Sequence, residues 1–420
     1  MQRIYISGSI GYDEIMNFPN HFKDYFHPEK LHQINVSFAV DSLAKHLGGC
    51  STNIAYSLRQ VIDHLNVIST PFDKLRTSSV EKSQSLRSLD SKKQIKAARD
   101  DKYTIFPVGA VGKDGEQLIE FFKNNNIDTS YILQDKKLYT ATGKVITDQN
   151  DNQIWGFYYG AASLNIQMNK YSNEEIGKND NEKMKKYPNE GIKKNSKNNR
   201  EFWILSATHE RPFTTALRHV IKNNLPYLFD PGMTLTWIRD DLLKKGVLNA
   251  TYLIGNDYEI AMIEKRLKMT VAEMVEKGVN VIVTLGEKGV RYYGNNVISS
   301  GAKRSREFSS VEISPRDLPS RGLGRDDKNT NPQNMRSLGR DDNAKPITVK
   351  AIKLRKVVDP TGAGDAWRGG FVGALISGKE IRECLVMGNV MASFAVETVG
   401  TVEYAAKREE IGKRVKSISK

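Results

Sequence analysis

The stretch VVDPTGAGDAWRGGF, residues 357–371, joins a β-branched run, a turn of small residues and an apolar continuation. The run from Ala351 to Val358 predicts a strand that ends at Asp359. Trp367 to Ile376 has the apolar pattern of a helix. Between them, Gly362 to Gly364 would present consecutive backbone N–H groups at the positive end of a helix dipole. The stretch therefore predicts a strand, an anion-binding turn and a helix, which is a unit of an α/β fold.

An aspartate follows this turn directly. Asp365 would lie beside any anion that Gly362, Ala363 and Gly364 hold. A carboxylate next to a phosphate is electrostatically unfavourable unless it takes a proton from the attacking hydroxyl. A lone Gly-x-Gly before a helix is usually only a tight turn or a cap. Because several specified residues coincide here with the strand-to-helix context, we favour Asp365 as a general base.

Length and composition describe a chain that can bury a core. With 420 residues, of which 39% are hydrophobic, it is long enough for one large α/β domain or two ordinary ones. No apolar run could span a bilayer, and the chain begins in a strand pattern without a signal peptide. Cys50 and Cys384 are the only cysteines, which excludes a disulfide framework. We therefore expect a cytoplasmic enzyme that binds no membrane.

The net charge of +14 lies mainly in three segments without apolar periodicity. Residues 70–102, 170–200 and 303–345 carry net charges of +4, +4 and +3, which leaves about +3 for the rest of the chain. These segments belong to low-complexity insertions that we place at about 66–102, 168–200 and 302–346 in a single domain over 1–420. The basic charge therefore gives little support to a nucleic-acid-binding function.

Two sites near the start of the sequence have polar side chains that could hold a ligand. Arg3 to Ser7 predicts a first buried strand, and Asp13 lies in the turn that leaves it, where open α/β sheets bind ligands. A surface turn is an equal alternative for Asp13. Gly48 and Gly49 allow close approach of a ligand, and Asn53 can donate to and accept from vicinal hydroxyls. On these residues alone, helix capping by Ser51 or Asn53 is the favoured alternative.

A third site lies where Tyr252 to Asn256 predicts a strand that leads into a helix. Asn256 and Glu259 are three residues apart and share one helical face. Such a pair can order the water around Mg²⁺. Asn-x-x-Glu is also the sequence form of a capping box, and the residues alone leave both roles open.

Together these motifs resemble those of the ribokinase-like, or PfkB, family of sugar and nucleoside kinases. The resemblance rests on Asp-x-Thr-Gly-Ala-Gly-Asp at 359–365, Gly-Gly with a spacer and Asn at 48–53, and Asn-x-x-Glu at 256–259. It extends over the whole chain outside the three insertions, with the motifs in the family's order. It implies a ribokinase-like three-layer αβα domain with a central, mostly parallel sheet and a small β-sheet lid, and it implies ATP and Mg²⁺.

The resemblance also implies roles for individual residues. Asp365 would be the catalytic base, and Gly362, Ala363 and Gly364 would form the anion hole. The implied substrate contacts are Ser9, Asp13, Gly48, Gly49 and Asn53, and the implied nucleotide contacts are Thr284, Gly286, Gly289 and Thr361. Asn256 and Glu259 would bind magnesium through water, with no direct protein ligand. Thr52 stands where Gly or Ala is common in the family.

We expect the acceptor to be a nucleoside, because the likeness is strongest to bacterial adenosine-kinase-like members. It rests on Gly8-Ser9-Ile10, Val36-Ser37-Phe38 and Gly156-Phe157-Tyr158. Met233 and Thr234, however, stand where adenosine kinases carry a glutamine that helps to hold the nucleoside. A sugar kinase acting on ribose, fructose or a related carbohydrate is therefore the alternative. A non-catalytic nucleic-acid or regulatory binding protein ranks third.

A hairpin is predicted over Thr140 to Thr147 and Gln153 to Tyr159, where two β-rich stretches flank a polar turn. Residues of about 12–40 and 138–162 would form the lid, which excludes water as a competing phosphate acceptor. The resemblance alone implies that a homodimer could form through this lid.

Overall fold

The computed structural model describes residues 2–26, 36–68, 102–150, 152–166, 201–294, 346–354 and 356–418 of the 420-residue chain. The three predicted low-complexity insertions lie almost entirely outside the described residues.

A nine-stranded sheet forms the centre of the molecule. In spatial order its strands are β13 (Ile347–Val349), β12 (Val290–Tyr293), β11 (Asn280–Thr284), β10 (Tyr252–Asn256), β9 (Tyr227–Phe229), β8 (Glu201–Leu205), β1 (Gln2–Ser7), β4 (Tyr103–Val111) and β5 (Ile132–Gln134). Neighbouring strands are parallel from β5 to β11, and only the pairs that involve β12 are antiparallel. The predicted central, mostly parallel sheet is confirmed.

Helices cover both faces of this sheet. One face packs against α1 (Cys50–Ile68), α2 (Glu116–Asn124), α7 (Ala363–Ile376), α8 (Ile381–Ala395) and α9 (Arg408–Ile418), and the other against α3 (Glu210–Lys222), α4 (Asp240–Asn249), α5 (Asp257–Leu267) and α6 (Val271–Glu276). Strand residues alternate between the two cores: Ile4 and Ile6 belong to the first and Tyr5 to the second. The three-layer αβα fold is therefore confirmed.

A separate four-stranded sheet has the order β3 (Ser42–Gly48), β2 (Gly11–Asn17), β6 (Ala141–Thr147), β7 (Gln153–Tyr158). β2 and β6 are parallel, whereas the other two pairs are antiparallel. The predicted hairpin forms β6 and β7. β7 is an edge strand, and all six of its residues are exposed.

The sequence did not predict every element correctly. The strand expected over Ala351 to Val358 is wrong, because β13 ends at Val349 and the described residues of that stretch form no strand. The Val358 N–H instead bonds the Val396 carbonyl, 2.7 Å away beyond the end of α8.

Two other local errors concern the small sheet. Asp13 lies within β2 and not in a turn, because β2 begins at Gly11. A Cβ on Gly11 would lie 2.5 Å from the Ala141 carbonyl oxygen, so glycine permits this close strand pairing. β3 was not predicted, since most of its residues are partly or fully exposed on both faces.

Candidate active site

Polar residues gather where the parallel strands of the main sheet end. Ser9 follows β1, Ser206 follows β8, Asp230 follows β9 and Asn256 ends β10. In open α/β sheets, ligands bind beyond the carboxyl ends of the strands. A hydrogen bond between Asn53 of α1 and Asp365 of α7 brings the starts of both helices to this edge. The candidate active site lies here.

A left-handed glycine precedes α7. Gly362 has a φ of 75°, and an added Cβ would lie 2.8 Å from Thr401 Cγ2, so a side chain would be strained here. α7 begins at Ala363, earlier than the predicted Trp367, which puts Gly364 and Asp365 in its first turn. N–H groups in a first turn have no intrahelical acceptor and lie at the positive end of the dipole. The turn thus offers backbone donors to an anion.

Asp365 is oriented by an amide from the other helix. Asn53 Nδ2 donates to Asp365 Oδ2 over 2.9 Å, and Thr401 Oγ1 donates to Asn53 Oδ1 over 2.7 Å. The second bond fixes the direction in which the Asn53 amide points. Asn53 lies inside α1, so the capping alternative is wrong for this residue. Its side chain instead holds the carboxylate.

Two carboxyl groups in the site have raised pKa values. Burial raises the pKa of Asp365 to about 6, although the Arg368 charge and the Asn53 hydrogen bond oppose this rise. Burial, together with the charge of Asp365, also raises the pKa of Asp13 to about 6. Asp13 on β2 and Asp365 on α7 are therefore close enough to interact. A base with a pKa near 6 is ionised at neutral pH and still binds a proton more tightly than an exposed aspartate.

Glycines make room for Asp13 and for the start of α1. A Cβ on Gly48 would collide with Asp13 Oδ2, so any other residue there would displace the carboxylate. Gly49 has a φ of 90°, and its added Cβ would lie 2.5 Å from the Ser9 carbonyl oxygen. Ser9 itself is buried, and its Oγ accepts the Cys50 N–H over 3.1 Å. Ser9 thus supports the helix start, and its predicted substrate contact stays a prediction.

Asn256 and Glu259 form the capping box that the sequence left open. Asn256 Oδ1 accepts the Glu259 N–H over 2.8 Å, and Glu259 Oε2 accepts the Asn256 N–H over 2.8 Å. Burial raises the pKa of Glu259. The box uses one carboxylate oxygen of Glu259, so Oε1 can still meet water or a cation. The capping role and the predicted magnesium role are therefore compatible.

The predicted nucleotide loop follows β11. Thr284 Oγ1 donates weakly to the Gly255 carbonyl over 3.4 Å. Gly286 has a φ of 56° with nothing within 4 Å of its added Cβ, so its backbone is accessible from outside. Gly289, with a φ of 93°, packs against the Val349–Ala351 backbone and has a structural reason to be glycine. The Thr361 N–H donates to Asp359 Oδ1 over 2.9 Å in the turn before α7.

An ion pair that the sequence did not predict lies beside the anion turn. Arg368 Nη2 donates to Asp230 Oδ1 over 2.5 Å, and Ser206 Oγ donates to Asp230 Oδ2 over 2.5 Å. Both charged side chains are nearly buried, at 12% and 3% exposure. The signal in the sequence was one arginine within the apolar stretch that forms α7. A charged residue on a buried helix needs a partner, and that partner is 138 positions away.

The small sheet places aromatic rings beside Asp13. Asp13, Gly143 and Phe157 are register partners across β2, β6 and β7. A Cβ on Gly143 would lie 3.0 Å from Asp13 Oδ1, 3.2 Å from the Trp155 ring and 3.5 Å from the Phe157 ring. Glycine at position 143 therefore lets a carboxylate and two aromatic rings pack closely over the backbone of β6.

Few side chains in the described residues are grouped so that they could coordinate a metal ion directly. Over the described ranges, no group of three or more His, Cys, Asp or Glu side chains could hold a metal ion. In the same ranges, no helix combines the length and apolar character needed to cross a membrane.

A model of the family described as pfkB family carbohydrate kinase matches residues 104–306 and 341–408. A nucleoside kinase of Methanocaldococcus jannaschii is 22% identical over 376 residues, which cover 89% of this chain and 87% of that protein.

Two solved structures are similar over nearly the whole chain. A nucleoside kinase of Burkholderia thailandensis in complex with inosine has a TM-score of 0.64 at 20% identity, covering 99% of this chain and 97% of that one. A ribokinase of Arabidopsis thaliana complexed with ribose and ATP has a TM-score of 0.58 at 17% identity, covering 99% of each chain. These similarities establish the ribokinase fold.

Proposed function

The chain belongs to the pfkB family of carbohydrate kinases, and we propose that it transfers the γ-phosphate of ATP to a hydroxymethyl group of a nucleoside, with Asp365 as general base. One observation carries the proposal. Asp365 lies in the first turn of α7, beside the N–H groups of the Gly362–Gly364 turn, and Asn53 orients its carboxylate at 2.9 Å. A proton acceptor next to an anion site is what phosphoryl transfer to an alcohol requires.

In this mechanism Asp365 accepts the proton of the acceptor hydroxyl as its oxygen attacks phosphorus. The backbone N–H groups of Ala363 and Gly364 stabilise the charge that develops on the phosphoryl oxygens. The Gly364 N–H is fixed by the first turn of α7, whereas the Ala363 N–H donates to the Pro360 carbonyl over 3.3 Å and would exchange that long bond for a phosphoryl oxygen.

ATP would lie along the ends of β10 and β11. The accessible backbone at Gly286, together with Thr284, Gly289 and Thr361, would contact the nucleotide. Magnesium supplies positive charge to the phosphate oxygens when it is bound. Asn256 and Glu259 would hold it through water, and Glu259 Oε1, which the capping box does not use, suits this role because Mg²⁺ prefers oxygen ligands.

The acceptor would lie between the glycine pair and the small sheet. Asp13, Asn53, Gly48 and Gly49 would hold its hydroxyl groups, with Ser9 behind them. The exposed rings of Trp155 and Phe157, which lie beside Asp13 at Gly143, support a nucleoside because a flat base can stack on aromatic rings. The names of the two nucleoside kinases, one of them bound to inosine, support the same acceptor class.

A sugar kinase is the second candidate. The family description and the ribokinase bound to ribose favour it, and so does Met233, which is 49% exposed where adenosine kinases were expected to carry glutamine. A nucleic-acid-binding protein stays the third alternative, and its basic segments lie outside the described residues. The cytoplasmic location, the closure of the lid and a homodimer through the small sheet stay predictions.

Competition between acceptors tests the nucleoside assignment. We would measure kcat/KM for adenosine, inosine, ribose and fructose with saturating Mg-ATP. A preference for nucleosides of at least a hundredfold over ribose is expected, because free ribose cannot use the aromatic rings. A preference for ribose or fructose would contradict the acceptor assignment and keep the kinase chemistry.

A further inference from the structure

Arg368 brings a positive charge to the candidate base. It follows Asp365 by three residues on α7, so both side chains lie on the same side of the helix. Helical side chains lean toward the start of their helix, and Arg368 Nη1 lies 2.6 Å from the position of a Cβ on Gly364. The guanidinium group therefore packs against the anion turn.

The neighbours of Arg368 hold its guanidinium group in place but leave one of its N–H donors without a hydrogen bond in the described part of the chain. Asp230 holds Nη2 at 2.5 Å, and Asp230 is itself held by Ser206 Oγ at 2.5 Å. Among the described residues, Nε has no hydrogen-bond partner although it is buried. A buried unpaired donor costs free energy. A purely structural arginine would be expected to use its donors more fully, and this difference favours a role in the reaction.

We propose that Arg368 is a positioning residue that keeps Asp365 ionised and ready to accept a proton, and that Asp230 holds the guanidinium in place for this purpose. The inference rests on the proposed function, since it assumes that Asp365 is the base. The titratable groups that face Asp365 are Arg368 on α7, Asp230 after β9, Asp13 on β2, Cys50 on α1 and Tyr404 beyond α8.

The physical reason is the burial of Asp365. Burial favours the neutral carboxylic acid, which has no vacant site for the proton of the acceptor. The charge of Arg368 lowers the pKa of Asp365, and the charge of Asp230 raises it. The carboxyl groups of Asp13 and Asp365 are also close enough to oppose each other's ionisation. One guanidinium group therefore opposes the combined effect of burial and two neighbouring carboxylates.

The ionisation of Asp365 can be measured directly, without turnover. In full-length protein labelled with carboxyl-¹³C aspartate, the resonance that disappears in Asp365→Asn belongs to Asp365. Arg368→Gln should raise the titration midpoint of this resonance by about 1 to 3 pH units, the usual effect of an opposite charge at close range. Arg368→Lys should leave it near the wild-type value, and Asp230→Asn should lower it.

Arg382→Gln is the matched control, because Arg382 is an exposed arginine on the neighbouring helix α8. It should leave the Asp365 midpoint unchanged. An unchanged midpoint in folded Arg368→Gln would overturn the proposal. If circular dichroism shows that Arg368→Gln does not fold, Asp230→Ala decides, because alanine removes the acceptor that holds the guanidinium group. A raised midpoint supports the proposal, and an unchanged or lowered midpoint overturns it.

The pH dependence of kcat tests the positioning role of Arg368 independently. With Mg-ATP and adenosine, Arg368→Gln should shift the acidic limb of the kcat–pH profile upward by the same amount and recover activity at high pH. A uniform loss of kcat at every pH would contradict the positioning role. If wild-type protein phosphorylates no acceptor, the proposed function fails, but the ¹³C titration still tests the coupling between Arg368 and Asp365.

Discussion

The two halves of the candidate site differ in how firmly their side chains are held. On the main-sheet half, Asp365, Asn53 and Thr401 form a continuous chain of hydrogen bonds of 2.9 and 2.7 Å. On the small-sheet half, Trp155 and Phe157 are 46% and 41% exposed on an edge strand. The first half is assembled within the described structure, whereas the second half presents open aromatic surface.

This difference matches what each half would have to do. Proton transfer and charge stabilisation require donors and acceptors that are fixed before the reaction. Recognition of an acceptor tolerates, and often uses, a mobile element that closes after binding. We therefore expect changes in the main-sheet half to lower kcat, and changes in the small-sheet half to raise KM for the acceptor.

The largest expected effect is that of Asp365→Asn. Loss of a general base should lower kcat by about a thousandfold, while the Kd for Mg-ATP measured by calorimetry stays near the wild-type value. Asp241→Asn is the control, since Asp241 also lies in the first turn of a helix but pairs with Arg239 at the surface. A kcat of Asp365→Asn within tenfold of wild type would remove this residue from the chemistry.

Gly48→Ala tests the junction of the two halves. The added Cβ should displace the Asp13 carboxylate and lower kcat/KM for the acceptor by about a hundredfold, since a small misplacement can cost that much. KM for ATP should not change. Gly156→Ala is the matched control in the small sheet, because nothing lies within 4 Å of its added Cβ. Equal effects of the two substitutions would argue against a role for Asp13.

Phe157→Ala tests the small-sheet half alone. Loss of one stacking surface should raise KM for adenosine about tenfold and leave kcat unchanged. Tyr158→Ala is the control: Tyr158 is the next residue of the same strand, similarly exposed at 47%, and points to the opposite face of the sheet. If both variants raise KM alike, the strand acts as a whole and not through the face that carries Asp13.

Glu259→Gln separates capping from magnesium binding. Glutamine can keep the capping bond to the Asn256 N–H but loses the negative charge. The Mg²⁺ concentration for half-maximal rate should therefore rise about fivefold, as expected when one weak charge interaction of about 1 kcal/mol is lost. Glu273→Gln makes the same change in the capping box of α6. An unchanged magnesium requirement in Glu259→Gln would leave only the capping role.

The smallest expected effect concerns stability. Because the pKa of Asp365 is raised to about 6 on folding, the folded state binds this proton more tightly, and stability falls as the pH rises from about 4 to about 6. Asp365→Asn removes that penalty. Its Tm should exceed the wild-type Tm by about 3 °C at pH 7.5, with a smaller difference or none at pH 4. A lower Tm at pH 7.5 would show that the carboxylate stabilises the fold.

Local sequence patterns predicted the features that are local in the structure. The turn before α7, the main strands and the β6–β7 hairpin follow from residues that are close together in the chain. The run at Ala351 to Val358 misled because β-branched residues indicate a strand only where a sheet edge is available, and here the backbone bonds the end of α8.

Contacts between distant residues could not be predicted in this way. Asn53 and Asp365 are 312 positions apart, and Arg368 and Asp230 are 138 apart. The close packing of Asp13, Trp155 and Phe157 around Gly143 depends on the register of three strands, which no single segment specifies. The resemblance supplied Asn53 as a site residue, but only the structure shows that its amide holds Asp365.

Analysis of the reaction products tests the central claim most directly. Wild-type protein would be incubated with Mg-ATP and adenosine or inosine, and the products identified by mass spectrometry. The account predicts a nucleoside 5′-monophosphate and ADP in equal amounts, with neither formed by Asp365→Asn on the same timescale. ADP accompanied only by inorganic phosphate, or a phosphorylated nucleoside formed equally by Asp365→Asn, would contradict it.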